Sequence, residues 1–135
     1  MIQLNYRDAR PLYEQIKEKL RYLIVSGALT YGTALPSVRD LAQTLTVNPN
    51  TIQKSYRELE SEGYIYSVKG KGSFVAELDK ANYFYQQRID DLLINLDGIL
   101  AELLYLGFTD TLIHQHIKTF FINTQKQQEV QNHEC

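Results

Sequence analysis

From Pro11 onward, apolar residues return every three or four positions as Leu12, Ile16, Leu20, Leu23 and Ile24. That spacing marks one face of an α-helix, and Glu14, Lys17, Glu18 and Arg21 fall largely off the stripe. Pro11 suits the first helical position, where no N–H is needed, and Gly27 suits the stop. Leu41, Ala42 and Leu45, then Ile52, Ser55, Tyr56 and Leu59, supply the inward sides of two shorter helices. The period changes after Gly63. Tyr64-Ile65-Tyr66-Ser67-Val68 and Ser73-Phe74-Val75 have the aromatic and β-branched content of strands. Gly70 and Gly72 between them allow the positive φ of a tight reversal. The helical period resumes from Ala81 to Leu106 through Tyr85, Ile89, Leu92, Leu93, Leu96, Ile99, Leu100, Leu103 and Leu104. Gly107 stops it and Thr109 can cap a further helix, whose apolar face runs through Leu112, Ile113, Ile117, Phe120 and Phe121. Beyond Thr124 the Gln-rich end reads as a fraying helix or tail.

Turn chemistry sharpens the middle of this pattern. Ser37 can cap the helix that begins at Val38 while Asp40 reaches back, a capping-box arrangement, and Pro36 keeps the preceding chain extended. Thr46 and Val47 form a tight turn; Asn48 then caps the next helix and Pro49 is preorganised for its first position. The expected fold is mainly α with a small β-hairpin: a winged helix-turn-helix over residues 1–78, followed by a two-helix dimerisation segment with a frayed tail over 79–135.

Composition narrows the class. Of 135 residues, 44% are hydrophobic and 22% charged, as in a globular protein rather than a disordered one. No apolar run approaches the roughly 18 residues that span a bilayer, and Met1-Ile2-Gln3-Leu4 opens without the basic and apolar stretches of a secretory signal. The only cysteine, Cys135, cannot form an internal disulfide or a cysteine metal cluster. A soluble cytoplasmic protein is expected, with no cofactor and no metal. The net charge of −2 divides unevenly: ten Lys/Arg against eight Asp/Glu in residues 1–78, four against eight in 79–135. The first segment is therefore the one suited to a polyanion.

The candidate chemistry lies there. Inward placement of Ile52, Ser55, Tyr56 and Leu59 leaves Asn50, Gln53, Lys54 and Arg57 on or beside the opposite face. Asn and Gln can bond adenine edges bidentately, while Lys and Arg neutralise phosphate or read guanine. Lys69 and Lys71 put two charges at a glycine loop tip, suited to phosphate or the minor groove. Arg39, at an exposed helix start, can reach a phosphate or a guanine edge. Each has a plainer reading, since polar residues are the default on a solvated face. Arg7 and Arg10 suit phosphate contact or a solvated arm equally well.

In the second segment, two helices cannot bury stripes this wide against each other, so a partner chain is expected. Ile89, Leu92, Leu93, Leu96, Leu100, Leu103, Ile113, Ile117 and Phe120 are the candidate dimerisation positions. Gly98 and Gly107 argue against one long coiled coil. His114 and His116, two apart on a helix, point to different faces and do not share a metal. Catalysis would need a nucleophile with a base and a pocket, or a metal, and no such set stands out. A winged-helix adaptor that binds protein rather than DNA stays open as the alternative.

Taken in order, these motifs resemble the GntR family of bacterial transcription regulators. The matching residues are Leu35-Pro36-Ser37-x-Arg39-x-Leu41-Ala42, Val47-Asn48-Pro49-Asn50-Thr51, Tyr56-Arg57-Glu58-Leu59-Glu60-x-Glu62-Gly63 and Gly70-x-Gly72-x-Phe74-Val75. Pro11-Leu12-Tyr13-Glu14-Gln15-Ile16 is similar to the family's opening helix, and the short helical tail is similar to the YtrA-type subfamily. The resemblance implies a DNA-binding repressor, or at least a regulator, acting as a homodimer on a palindromic operator of double-stranded DNA. It assigns DNA contacts to Arg39, Asn48, Asn50, Thr51, Gln53 and the tip from Lys69 through Gly70 and Lys71 to Gly72. It further implies an operon for a membrane transporter and a small-molecule effector, if any, at the dimer interface or between tail and head. Tyr83, Phe84, Tyr85, Tyr105 and Phe108 can line such a groove, or serve as packing aromatics. The chain departs from many relatives in carrying Pro49 in place of an arginine and Gln53 where a basic residue is common.

Overall fold

The computed structural model describes residues 2–133, so the expectations attached to Met1 and Cys135 lie outside the described residues. Its elements are α1 (Leu12–Val25), α2 (Val38–Leu45), α3 (Pro49–Ser61), β1 (Ile65–Val68), β2 (Gly72–Val75), α4 (Tyr83–Tyr105) and α5 (Asp110–His133). The chain divides into two compact units, Met1–Arg88 and Ile89–Cys135. The division falls inside α4, beyond the change in composition after Asp79.

In the first unit α1 and α2 pack on α3. Ile16 and Leu20 of α1, Leu41 and Ala42 of α2, Ile52, Tyr56 and Leu59 of α3, and Ile65 and Val75 of the hairpin share one buried cluster with Leu35. Burying each of the larger aliphatic side chains contributes roughly 1.5–3 kcal/mol. Two α1 residues depart from the apolar pattern, because Gln15 and Arg21 are also buried. Gln15 pins the segment before the helix: its Oε1 accepts the Asn5 N–H at 2.9 Å, and its Nε2 donates to the carbonyls of Asn5 at 3.0 Å and Arg10 at 3.1 Å. Arg21 was expected off the stripe. It is drawn in because Glu62, at the end of α3, supplies its partner at 2.8 Å.

The turn between α2 and α3 follows its residues closely. The Ser37 hydroxyl accepts the Asp40 N–H at 3.0 Å, the hydroxyl half of the expected capping box. Thr46 adopts the left-handed conformation at φ 56°, which lets Val47 N–H close back on the Ala42 carbonyl at 3.0 Å. Asn48 Oδ1 then accepts the Asn50 N–H at 2.8 Å, with Pro49 as the first residue of α3.

β1 and β2 pair antiparallel with Ile65 opposite Val75 and Val68 opposite Gly72. The Lys71 N–H donates to the Val68 carbonyl at 2.9 Å across a tip where Gly70 takes φ 78°. A third extended piece, which the sequence pattern did not suggest, lies along β2. Ala34 bridges Phe74, the Leu35 N–H donates to Ser73 O at 2.8 Å, and the Val75 N–H donates to Thr33 O at 2.9 Å. Thr33-Ala34-Leu35 is too short to show alternation.

α4 is capped by Asn82, whose Oδ1 accepts the Phe84 N–H at 2.8 Å. Gly98 lies inside α4, within the helical stretch expected from Ala81 to Leu106, because a helix tolerates one glycine for about 1 kcal/mol. Gly107, at φ 88°, does end it. Thr109 then caps α5 through the Leu112 N–H at 3.4 Å. Of the fraying helix or tail expected after Thr124, the helix is what forms, α5 continuing to His133, since glutamine and lysine are good helix formers. Among the described residues no helix is long and apolar enough to cross a membrane.

Candidate nucleic-acid interface

Four buried side chains fix the orientation of α3. Ile52 and Leu59 are sealed in the core, and the Ser55 hydroxyl donates to the Tyr13 carbonyl of α1 at 2.7 Å. The Tyr56 hydroxyl donates to the Pro36 carbonyl at 2.7 Å, just ahead of α2, and burial pushes its pKa up to about 12. With these held inward, Asn50, Gln53, Lys54 and Arg57 are all exposed, as their spacing requires.

They do not act as one set. A groove of about 500 Å³ runs between α3 and the hairpin, and gathers Gln53 and Arg57 with Lys69, Gly70, Lys71 and Gly72. Lys54 lies elsewhere, its Nζ 3.8 Å from the centroid of the Tyr13 ring. Arg39 is exposed in the first turn of α2, and Asn48, Asn50 and the half-buried Thr51 mark the start of α3.

Charge pairing divides the cations of the first unit into two sets. Arg10 pairs with Asp8 and Glu18, while Lys17 and Arg21 pair with Glu62. Arg10 is thus committed between Asp8 of the N-terminal arm and Glu18 of α1, and its hydrogen bond holds the Asp8 carboxyl below its ordinary value. Among the described residues, no carboxylate forms an ion pair with Arg39, Lys54, Arg57, Lys69 or Lys71. Exposed cations without an internal counter-charge are what phosphate neutralisation requires.

One acidic residue was missed. Glu60 also lines the groove, and its carboxylate accepts both the N–H and the hydroxyl of Ser67 in β1. Its position three residues after Arg57 on an exposed face was the available signal.

In the second unit Leu92, Leu93, Leu96, Ile117 and Phe120 are exposed, and Ile89, Leu100 and Leu103 are half-buried. Ile113 is buried within its own chain. His114 and His116 are both exposed, and the described residues hold no group of three metal-ligating side chains. Among the aromatics, Tyr83 packs edge-on against Phe84 at 5.1 Å within the first unit, while Tyr105 of the second is 87% exposed.

A helix-turn-helix followed by a basic hairpin, with α3 presenting polar side chains beside the loop tip, defines the winged helix-turn-helix class. The family described as bacterial regulatory proteins of the gntR family matches residues 12–75, from the start of α1 to the end of β2. The chain is 35% identical over 118 residues to the HTH-type transcriptional repressor YtrA of Bacillus subtilis (strain 168), covering 87% of this chain and 90% of that protein. It resembles a solved transcriptional antiterminator from Listeria monocytogenes EGD-e, with a TM-score of 0.74, 33% identity and 89% of each chain covered. It also resembles YtrA from Sulfolobus acidocaldarius, a GntR-family transcription factor, with a TM-score of 0.59, 29% identity and coverage of 72% of this chain and 97% of that one. The chain belongs to the GntR family, in its YtrA-type subfamily, and is a DNA-binding transcription regulator rather than an enzyme.

Proposed function

We propose that this protein is a sequence-specific repressor that binds a palindromic operator as a homodimer in the cytoplasm. The observation that carries the DNA-reading half is the groove itself, where Gln53 and Arg57 of α3 lie with Lys69 and Lys71 of the wing. Gln53 can pair with a base edge, while the cations meet phosphates on either side. The dimer half rests on apolar surface. Leu92, Leu93 and Leu96 of α4 and Ile117 and Phe120 of α5 are 40–60% exposed, more than a monomer would leave in water. A twofold partner covering them would present two copies of α3 to two half-sites. Repression is taken from the relative in Bacillus subtilis, which is named a repressor. A small-molecule effector would act where two copies meet, since that is where α4 and α5 offer apolar surface.

Gel shift with footprinting on the DNA upstream of the protein's own gene, across a salt series, tests this reading. A protected twofold-symmetric site with steep salt dependence is the expected result. Equal, weak binding to all DNA would remove the sequence-specific reading, and no binding at low salt would favour the adaptor.

A further inference from the structure

Glu60 stands where a carboxylate ought to weaken DNA binding. It lines the same groove as Gln53, Arg57, Lys69 and Lys71, and a negative charge there repels phosphate. Both of its oxygens are occupied. Oε1 accepts the backbone N–H of Ser67 at 3.0 Å, and Oε2 accepts the Ser67 hydroxyl at 3.1 Å. The Ser67 oxygen lies 3.4 Å from the hydroxyl of Ser73, its register partner on the other strand. One α3 side chain is thereby joined, through one residue, to both strands of the wing.

The location of this strap matters. At the base of the hairpin Ile65 and Val75 are buried in the core, whereas Tyr66, Ser67 and Val68 are exposed. Thr33-Ala34-Leu35 supports β2 only as far as Ser73, and the two-stranded stretch beyond it would by itself be marginal in water. Beyond the strap come only Val68 and the Lys69–Gly72 tip.

We propose that Glu60 is a positioning residue that locks the wing against α3, so that the lysine tip and the base-reading face of α3 meet DNA at one fixed spacing. This rests on the DNA-binding reading of the groove. The geometry favours it over a free acid that tunes charge, because both oxygens bond Ser67, one of them to its backbone.

The test compares Glu60→Ala and Glu60→Gln, each with and without Lys69→Ala/Lys71→Ala, in the full-length protein. Without DNA, hydrogen exchange of the Ser67 amide should accelerate about ten-fold or more in Glu60→Ala, as a local opening. Glu60→Gln keeps one acceptor oxygen and should lie between wild type and alanine. On operator DNA, removing the two wing lysines should lower the salt slope by about two in wild type. In the Glu60→Ala background the same change should lower it by less than one, because the tip is no longer presented.

Unchanged Ser67 exchange in Glu60→Ala would overturn the strap. Equal tightening on every DNA by alanine and glutamine, with the lysine effect intact, would show that the acid only repels phosphate and overturn the positioning role. Wild-type protein lacking any salt-dependent DNA binding would overturn the DNA reading and this role with it, while Ser67 exchange would still show whether the strap forms.

Discussion

The Arg21 guanidinium donates to Oε2 of Glu62 at 2.8 Å, while the Lys17 ammonium donates to Oε1 of the same carboxylate at 2.9 Å. α1 thereby clasps the end of α3 at the point where the chain turns toward the wing. Burial of Glu62 works to raise its pKa, but the hydrogen bonds from Lys17 and Arg21 outweigh it and hold the carboxyl below its ordinary 4.5. A carboxyl held low in the folded state contributes stability that is fully present above the unfolded value and is lost as pH falls through the folded one. Glu62→Gln should therefore cost roughly 1–3 kcal/mol near neutral pH. Thermal melts against pH should show that gap steady down to about pH 5 and closing below 4.5. A gap that widens in acid would contradict this assignment.

Thr46 carries a strain that the turn between α2 and α3 can do without. It is the only non-glycine residue with positive φ among the described residues, at 56°, and its β-branched side chain suits that conformation badly. Its N–H contributes to the end of α2, but its side chain is exposed. Thr46→Gly should stabilise the protein by about 1 kcal/mol, the relieved left-handed penalty less the added freedom of the unfolded chain. Urea unfolding would show a higher midpoint with an unchanged slope. A lower midpoint would mean that the threonine side chain makes up for the strain.

The separation of Lys54 from the groove makes a comparison between lysines informative. Lys54 sits over the Tyr13 ring, whereas Lys69 and Lys71 line the groove opposite Gln53. Alanine at Lys69 or Lys71 should weaken binding to all DNA alike and reduce the salt slope by about one each. Lys54→Ala should reduce it by less. Gln53→Ala should cost ~1–3 kcal/mol on the operator and little on random DNA. Binding isotherms at several salt concentrations, on both DNAs, separate these effects, and a uniform loss from Gln53→Ala would remove its base-reading role.

What could be read in advance followed periodicity and turn chemistry. Ile16, Leu20, Ile52, Tyr56 and Leu59 recur at helical spacing and all are buried, because a repeating pattern reports a face directly. Asn48-Pro49 marked the start of α3 for the same kind of local reason. The hidden features are pairings between distant residues. Gln15 serves the backbone ten positions earlier, and Arg21 finds Glu62 forty-one positions later. Glu60 likewise gains its meaning only when the hairpin folds Ser67 over it. Lys54 was grouped with Gln53 by its place on α3. Its link to Tyr13 belongs to the packing of α1 on α3, which no local spacing encodes.

The second unit yields the prediction on which the operator geometry depends. Leu93 and Leu96 are 53% and 43% exposed on α4, so a charge at either position costs a lone chain little. In a dimer covering those positions, the same charge would be buried without a partner, a penalty of several kcal/mol. Light scattering at micromolar concentration should give twice the chain mass for wild type and the single-chain mass for Leu93→Glu/Leu96→Glu. The variant should keep its helical circular dichroism. Two linked heads bind a twofold site far more tightly than one head alone, so the variant's operator affinity should fall about 100-fold or more while its weak affinity for a single half-site persists. A single-chain mass for wild type would refute the homodimer. A dimeric variant would place the contact on another face of these helices.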